Sequence, residues 1–412
     1  MRISTLQAFN NGVTGIQRNY ANATRTQEQI STGNRILTPA DDPVASVRLL
    51  QLEQQQNVLG QYNSNLTAAK NSLTQEEVTL NSVNTVLQRV RELAVRAGNG
   101  SLDPQDRKAI AAELAEREDE LLSLMNTRNA RGEYLFSGFQ GKTQPFVRAA
   151  DGSYSYAGDE GQRKLQIASS LNIPISDNGK SVFQAVTNAG RLSTTPAAET
   201  ITAPAVRLSA PLIEDEVAFA AFDFPADGIE VRFSDSADPK AYEIYEVGGT
   251  VALGNGRLDD KDDASDKLVF NGMTIHIDGV PTGTETFTLE RNGQEKQGIL
   301  DTIANLRMSL ENPGTGSTGV RDAVAVALTN LDHGIVSVDE ARGNIGARLN
   351  VIETTQTDNE DVALVNKGVQ AELRELDYAE ALSRLSMQTV VLEAAQQSYV
   401  KIAGLSLFNV MR

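Results

Sequence analysis

The side chains best suited to chemistry are two histidines, His276 and His333, and an acidic run, DDKDDASD, from Asp259 to Asp266. An imidazole can serve as general base or metal ligand, and clustered carboxylates can hold a divalent cation. Neither set has the company such chemistry needs. The two histidines are the only ones in 412 residues, and cysteine is absent. That excludes a disulfide framework and any thiolate metal site. His276 alternates with Ile275 and Ile277, as an outward-facing strand residue does, and His333 sits beside a helical seam. No HExxH or GxSxG occurs. The acidic run lacks the glycine and closing glutamate of an EF-hand loop, so a solvated charge run is the simpler reading. GTGSTG, Gly314 to Gly319, spells GxGxxG, and Asp339 lies at about the distance of a ribose-binding acid. The motif follows a helical segment ending in ENP and precedes a long helix, with no βαβ unit, so it reads as a connection between antiparallel helices. The expectation is a protein that is not an enzyme, with no catalytic residues, no metal and no cofactor.

Charge and hydropathy narrow the partners. Lysine and arginine number 37 against 54 aspartates and glutamates, a net charge of −17. An acidic surface of that kind argues against nucleic acid and anionic lipid. No window approaches the ~18 apolar residues of a membrane span, so no membrane insertion is expected. The start, MRISTLQAFNNG, has no apolar run after Arg2, so no cleaved signal peptide is expected either.

One constellation carries mechanism, and it is steric. STGNRILTPADDPVAS, Ser31 to Ser46, interrupts a helical pattern and leads into a longer one. Gly33 can adopt a positive φ and end the incoming helix. Thr38 and Pro39 keep the connection extended. Asp41 and Asp42 follow, with Asp42 placed as N-cap and Pro43 at the first helical position, where a carboxylate satisfies free N–H groups and the positive dipole end. Gly33, Pro39, Asp41, Asp42 and Pro43 therefore form a candidate joint; from physics alone, an ordinary helix–helix loop is the plainer alternative.

The elements around this joint are long amphipathic helices. Leu59, Tyr62, Leu66, Ala69, Leu73, Glu76, Leu80, Val83, Leu87, Val90 and Ala94 alternate spacings of three and four, and all but Glu76 are apolar or aromatic. A 3.5-residue repeat kept up this far marks a seam between supercoiled helices. A second seam reads Val324, Leu328, Leu331, Ile335, Val338, Arg342, Ile345, Leu349 and Ile352. A further helix is predicted from Pro104 to about Arg128, capped by Asp103, with Ile110, Leu114, Leu121 and Leu124 on one face. The extremities carry narrower stripes. Near the N-terminus these are Ile3 and Leu6, then Val13, Ile16, Tyr20, Ala23, Gln27 and Ile30. Near the C-terminus they are Tyr378, Leu382, Leu385, Thr389, Leu392, Gln396, Tyr399 and Ala403. Each stripe buries little against an ordering cost of ~1–2 kcal/mol per residue, so the termini are expected to be mobile alone and to zip together on assembly.

The middle changes character. Ile229, Val231 and Phe233 alternate, as do Met273, Ile275 and Ile277, then Phe287 and Leu289, with turn signals between them. STTPAAETITAPA, Ser193 to Ala205, reads as a link or an exposed excursion. The fold class is α+β: a long antiparallel α-helical coiled-coil bundle built from both chain ends, with an inserted β-rich central domain. The boundaries are 1–42 for a terminal helix and joint, 43–141 and 296–360 for the two halves of the bundle, and 361–412 for the closing helix. The β-rich part spans 142–295, with a division near 191–212.

At these residues a resemblance enters. ISTGNRILTPADDPVAS resembles the segment that flagellins and their relatives place between their first two helices. GEYLFSGFQGKTQPF, Gly132 to Phe146, is similar to the helix-to-β transition of the hook–filament junction (hook-associated protein 3) family. YAGDEGQRKLQI resembles its first β-hairpin, and GIEVRFSD, AYEIYEVGG and LVFNGMTIHIDGVPTGTETFTL resemble later strands. ARGNIGARLN and LEAAQQSYVKIAGLSLFNVMR resemble its closing helices. The interval from about Arg191 to Leu212 matches least. The resemblance implies a structural axial protein of the bacterial flagellum, extracellular and exported by a type III route. Its implied partners are the first hook-associated protein, flagellin, copies of itself in a ring, and an export chaperone on the C-terminal helix. The implied chaperone stripe is Leu382, Leu385, Leu392, Tyr399, Ile402 and Phe408, with axial coiled-coil packing as the other role for those residues. The alternatives are a filament flagellin, or a secreted adhesin or enzyme acting through the β domain.

Overall fold

The computed structural model describes the backbone of residues 2–196, 206–235, 237–259, 266–312 and 318–410, and the side chains of these except 2–6, 8, 318 and 403–410. Residues 314–317 of GTGSTG and the centre of the DDKDDASD run lie outside the described residues, as does most of the segment after Pro196. Among the described residues the helices are α1 (Arg2–Thr32), α2 (Pro43–Ala97), α3 (Pro104–Met125), α4 (Glu216–Phe222), α5 (Ile299–Glu311), α6 (Thr318–Arg374) and α7 (Tyr378–Val410). Between α3 and α5 lie β1 (Phe146–Arg148), β2 (Tyr154–Tyr156), β3 (Lys164–Gln166), β4 (Asn172–Pro174), β5 (Leu192–Pro196), β6 (Val206–Leu208) and β7 (Leu212–Ile213). They are followed by β8 (Ile229–Arg232), β9 (Ala241–Glu246), β10 (Ala252–Arg257), β11 (Asp266–Phe270), β12 (Met273–Gly279) and β13 (Thr286–Arg291). The α+β class expected from the sequence is the class observed.

The chain divides into two compact units, one of Met1–Leu66, Ile167–Ser169 and Glu353–Arg412, the other of Thr67–Gln166 and Ser170–Ile352. In the second unit α2 and α6 run antiparallel. Asn84 donates to Asp339 at 3.1 Å and Arg91 to Asp332 at 2.6 Å, so residue numbers rise along one helix as they fall along the other. Leu73, Leu80, Leu87 and Val90 are fully buried along α2. The α3 helix starts where proline and aspartate direct it: the Asp103 carboxylate accepts the N–H groups of Gln105 and Asp106. It lies beside α2 through Arg89 and Glu113, 2.7 Å apart, and beside α5 through Arg307 and Glu118, 2.9 Å apart.

On α6 the buried seam differs from the expected one. Val324, Leu331, Val338, Ile345 and Ile352 are buried as read, but the alternate positions are Ala327, Gly334 and Ala341, while Leu328, Ile335, Arg342 and Leu349 are only half-buried. The reason is closeness. A Cβ on Gly334 would lie 3.0 Å from Cγ1 of Ile299 on α5, so only small residues let the helices meet there. The larger side chains fill the flanks. The boundary expected at residue 361 falls inside α6, which continues to Arg374.

The strands form a five-stranded sheet, β10-β9-β8-β13-β5, and a sheet of β11-β12-β6 with β7 also on β12. Phe233, Val231, Leu289, Ile275, Met273 and Leu268 share one core. Alternating apolar residues on strands from both sheets supply that core, as a period of two requires. Asn271 and Gly272 join β11 to β12 with φ of 44° and 80°, the doubly positive geometry of a tight hairpin turn. YAGDEGQRKLQI is not one hairpin: β2 pairs with β1 and β3 with β4. The acidic DEG segment instead bends the chain from one hairpin to the next, the Asp159 carboxylate accepting N–H groups of Phe139, Gln140 and Gly161.

Candidate functional site

The first unit is built around two breaks in helices that meet. At one, α1 ends in Gly33 with φ of 71°. Thr38, Pro39, Ala40 and Asp41 then make a turn, the Asp41 N–H donating to the Thr38 carbonyl at 2.9 Å, with Pro39 where its fixed φ fits. The Asp41 carboxylate accepts the N–H of Leu37 at 2.9 Å, the N–H of Thr38 at 3.0 Å and the Thr38 hydroxyl at 3.0 Å. It also pairs with Arg25 of α1. Asp42 caps α2, accepting the Ala45 N–H at 2.9 Å. Arg35 stands 3.6 Å from the Asp42 carboxylate. So Asp41 closes the loop on itself and Asp42 starts the next helix.

The second break, Glu375 to Asp377 between α6 and α7, was not read from the sequence. Asn34 and Glu375 form an antiparallel bridge. The Arg35 N–H donates to the Arg374 carbonyl at 2.8 Å, and the Leu376 N–H donates to the Gly33 carbonyl at 3.0 Å. Side chains add to this: Arg35 donates to the Leu373 carbonyl at 3.0 Å, Arg374 to Asn34 Oδ1 at 2.9 Å, and Gln29 to the Arg35 carbonyl at 2.6 Å. Asp377 caps α7 through the N–H groups of Ala379 at 2.9 Å and Glu380 at 3.2 Å. Asp377-x-x-Glu380 is a sequence signature of a helix start that could have revealed it. The paired breaks turn two loops into one joint.

From the joint, α1 and α7 run antiparallel as a pair, with the Phe9 and Tyr399 rings 5.0 Å apart at the far end. The facing residues differ from the expected stripes. On α7 the covered face is Ala381, Leu385, Gln388, Leu392, Ala395 and Tyr399, whereas Leu382 is 55% exposed and Ile402 66% exposed. The expected stripe thus divides between two faces. On α1, Val13, Ile16, Ala23 and Ile30 are covered together with Asn19 and Thr26, while Tyr20 and Gln27 point outward. Ile3, Leu6 and Phe408 lie outside the described side chains. With small and polar residues filling the covered face, the pair leaves Leu382, Met387, Val390, Val400 and Ile402 in solvent. It is not a closed core.

The same unit holds the ends of α2 and α6. Leu59 and Leu66 are buried on α2. On α6 the buried positions are Thr355, Asn359 and Asn366, polar where the second unit has aliphatic side chains. The Asn366 amide nitrogen and Gln370 amide nitrogen are buried without a hydrogen-bond partner among the described residues. A seam of this kind costs stability and specifies register.

Comparison with known proteins follows the same lines. Residues 3–141 match the family described as the bacterial flagellin N-terminal helical region. Over 188 residues the chain is 34% identical to flagellar hook-associated protein 3 of Salmonella typhimurium, covering 46% of this chain and 58% of that protein. The chain therefore matches little more than half the length of that relative. The crystal structure of a flagellar hook-associated protein 3 from Legionella pneumophila superposes with a TM-score of 0.64 at 26% identity, covering 78% of this chain and 98% of that one. A flagellin of Clostridium tyrobutyricum is 22% identical over 94% of this chain and 95% of its own length. In sequence the chain is flagellin-like over residues 3–141, and in sequence and fold it is similar to hook-associated protein 3.

Proposed function

We propose that this chain is a structural adaptor of the bacterial flagellum, seated between the first hook-associated protein and the flagellin filament as a ring of copies. It acts without catalysis. The observation that carries this reading is the double joint: two helix breaks locked to each other beneath a terminal helix pair that keeps apolar side chains in solvent. An adaptor between two helical tubes needs a fixed angle between successive helices and an adhesive surface still free to meet neighbours. Asp41 and Asp42 supply the first, and the outer face of α7 supplies the second.

On this reading the chain leaves the cell through the flagellar export route without a cleaved signal, with a chaperone covering α7 beforehand. The face available to that chaperone is Leu382, Met387, Val390, Val400 and Ile402. Leu385, Leu392 and Tyr399 join it only if α7 separates from α1. The termini gain order when copies assemble.

Deleting the coding region and assaying the medium tests the proposal. Flagellin shed as monomers, with hooks left bare, is the expected result; filaments of normal length and retention would overturn it. The flagellin resemblance, which spans nearly the whole chain, favours a second reading as a filament subunit. Purified protein that polymerises into long filaments by itself would select that reading.

A further inference from the structure

We propose that the Glu76 carboxyl is a proton-controlled latch, holding the connector Ile175–Asn178 against α2 while protonated and releasing it when ionised. This inference concerns the second unit and does not rest on the flagellar reading. Glu76 is the one ionisable residue in an otherwise apolar or aromatic stretch of the α2 seam, and it is 1% exposed. Its Oε1 accepts the N–H of Asp177 at 3.0 Å. One turn earlier, the Ser72 hydroxyl donates to the Ile175 carbonyl at 3.0 Å. All four connector residues are buried, so the connector sits in the bundle and not on it.

The charges around Glu76 are already committed. Asp177 takes both terminal nitrogens of Arg348 on α6, at 3.0 and 2.9 Å, and the Gln162 amide at 2.7 Å. Arg163 pairs with Glu133 at 2.7 Å. On α2 itself the adjacent Glu77 is a further carboxylate. Among the described residues no cation lies within ion-pair distance of Glu76. Ionisation would place a second negative charge beside Asp177 in a site closed to water, which is costly without a partner. Burial first, and the Asp177 charge second, push the Glu76 carboxyl up to about 8, against the opposing pull of the Asp177 N–H, Arg348 and Arg163. Because the folded value lies above the ordinary carboxyl value of 4.5, the stabilisation is complete below 4.5 and is lost as pH rises through about 8. The connector leads directly into a short π-helical turn, Lys180–Gln184, whose Phe183 meets Phe136 and Phe146 at 5.0 and 5.8 Å. Release of the latch therefore loosens that aromatic contact as well.

Hydrogen–deuterium exchange of the full chain at about pH 6.5 and about pH 9.5, corrected for intrinsic rates, reads the latch directly. Peptides covering 172–184 should lose protection by ~10-fold or more at the higher pH, because opening gains about a decade per pH unit up to about 8 and levels off above it. Glu76→Gln, which keeps shape and cannot ionise, should hold its protection at both. Asp177→Asn removes the neighbouring charge and leaves Arg348 free to favour the ionised form, so the opening midpoint should move to lower pH. Wild-type protection that does not change with pH, loss that persists in Glu76→Gln, or an unmoved midpoint in Asp177→Asn would each overturn the proposal.

Discussion

The backbone N–H of Arg35 donates to the carbonyl of Arg374 at 2.8 Å, joining two loops that lie more than 300 residues apart in the chain. Helix ends normally leave N–H and C=O groups without partners. Here the end of α1 and the end of α6 satisfy each other, so neither can move without the other. Such mutual capping is what a joint needs if it is to hold an angle.

Weakening the joint at its helix start should separate assembly from stability. Asp42→Ala combined with Pro43→Gly removes a cap worth ~1 kcal/mol and frees the backbone at the first helical position. Junction assembly should weaken, while the thermal transition of the β-rich part stays nearly unchanged. Retention of filaments on cells carrying the variant, together with calorimetry of the purified chain, checks both halves.

Gly33→Ala attacks the same joint through the backbone. With φ of 71°, and a new Cβ 3.0 Å from the Tyr378 hydroxyl, alanine is strained and crowded. A loss of ~1 kcal/mol or more is expected. Gly33→Asn should cost less, because asparagine tolerates this region better. Urea denaturation of the two variants would show the order.

In the polar seam the opposite change should stabilise. The Asn366 amide nitrogen is buried with no partner among the described residues. Asn366→Leu removes a penalty of ~1–3 kcal/mol and should raise the melting temperature. A register change, seen as lost assembly with raised stability, would identify the amide's purpose.

Glu118 is a hub whose removal should be severe. Its buried carboxylate accepts the Tyr154 hydroxyl at 2.5 Å and Arg307 Nε at 2.9 Å, and it lies 3.3 Å from Arg148. Glu118→Ala leaves Arg307 with only Glu311 and should cost ~3 kcal/mol or more. Thermal unfolding followed by circular dichroism measures it.

Acid should loosen the bend after α3. The N–H groups, Phe139 first and then Gly161 and Gln140, hold the Asp159 carboxyl below its usual range against a smaller opposing effect of burial. Its stabilisation is present above the unfolded value of 3.8 and is lost as pH falls through the lower folded value. Asp159→Asn should flatten that part of the stability profile, measured by denaturation between about pH 5 and about pH 2.

Much of the architecture was legible because it is local. The 3.5-residue repeat of α2, the Asp103 and Asp42 caps and the Asn271–Gly272 turn each depend on residues within a few positions of one another. The seam of α6 was half-missed because a search for large apolar residues selects Leu328, Ile335 and Leu349, whereas the close approach of Ile299 gives the buried positions to Ala327, Gly334 and Ala341. The same preference placed Leu382 and Ile402 on one stripe with Leu385 and Tyr399.

The amino-acid order alone thus determined where α2 and α3 begin, that long helices come from both chain ends and that a β-rich part interrupts them, since backbone propensity and periodicity act over one or two turns. Which face of α7 turns to α1, and that the break at Glu375–Asp377 locks onto Gly33–Arg35, was decided only in three dimensions. Those choices follow from which surfaces fit closely enough to exclude water, and the residues that make the fit come from opposite ends of the chain.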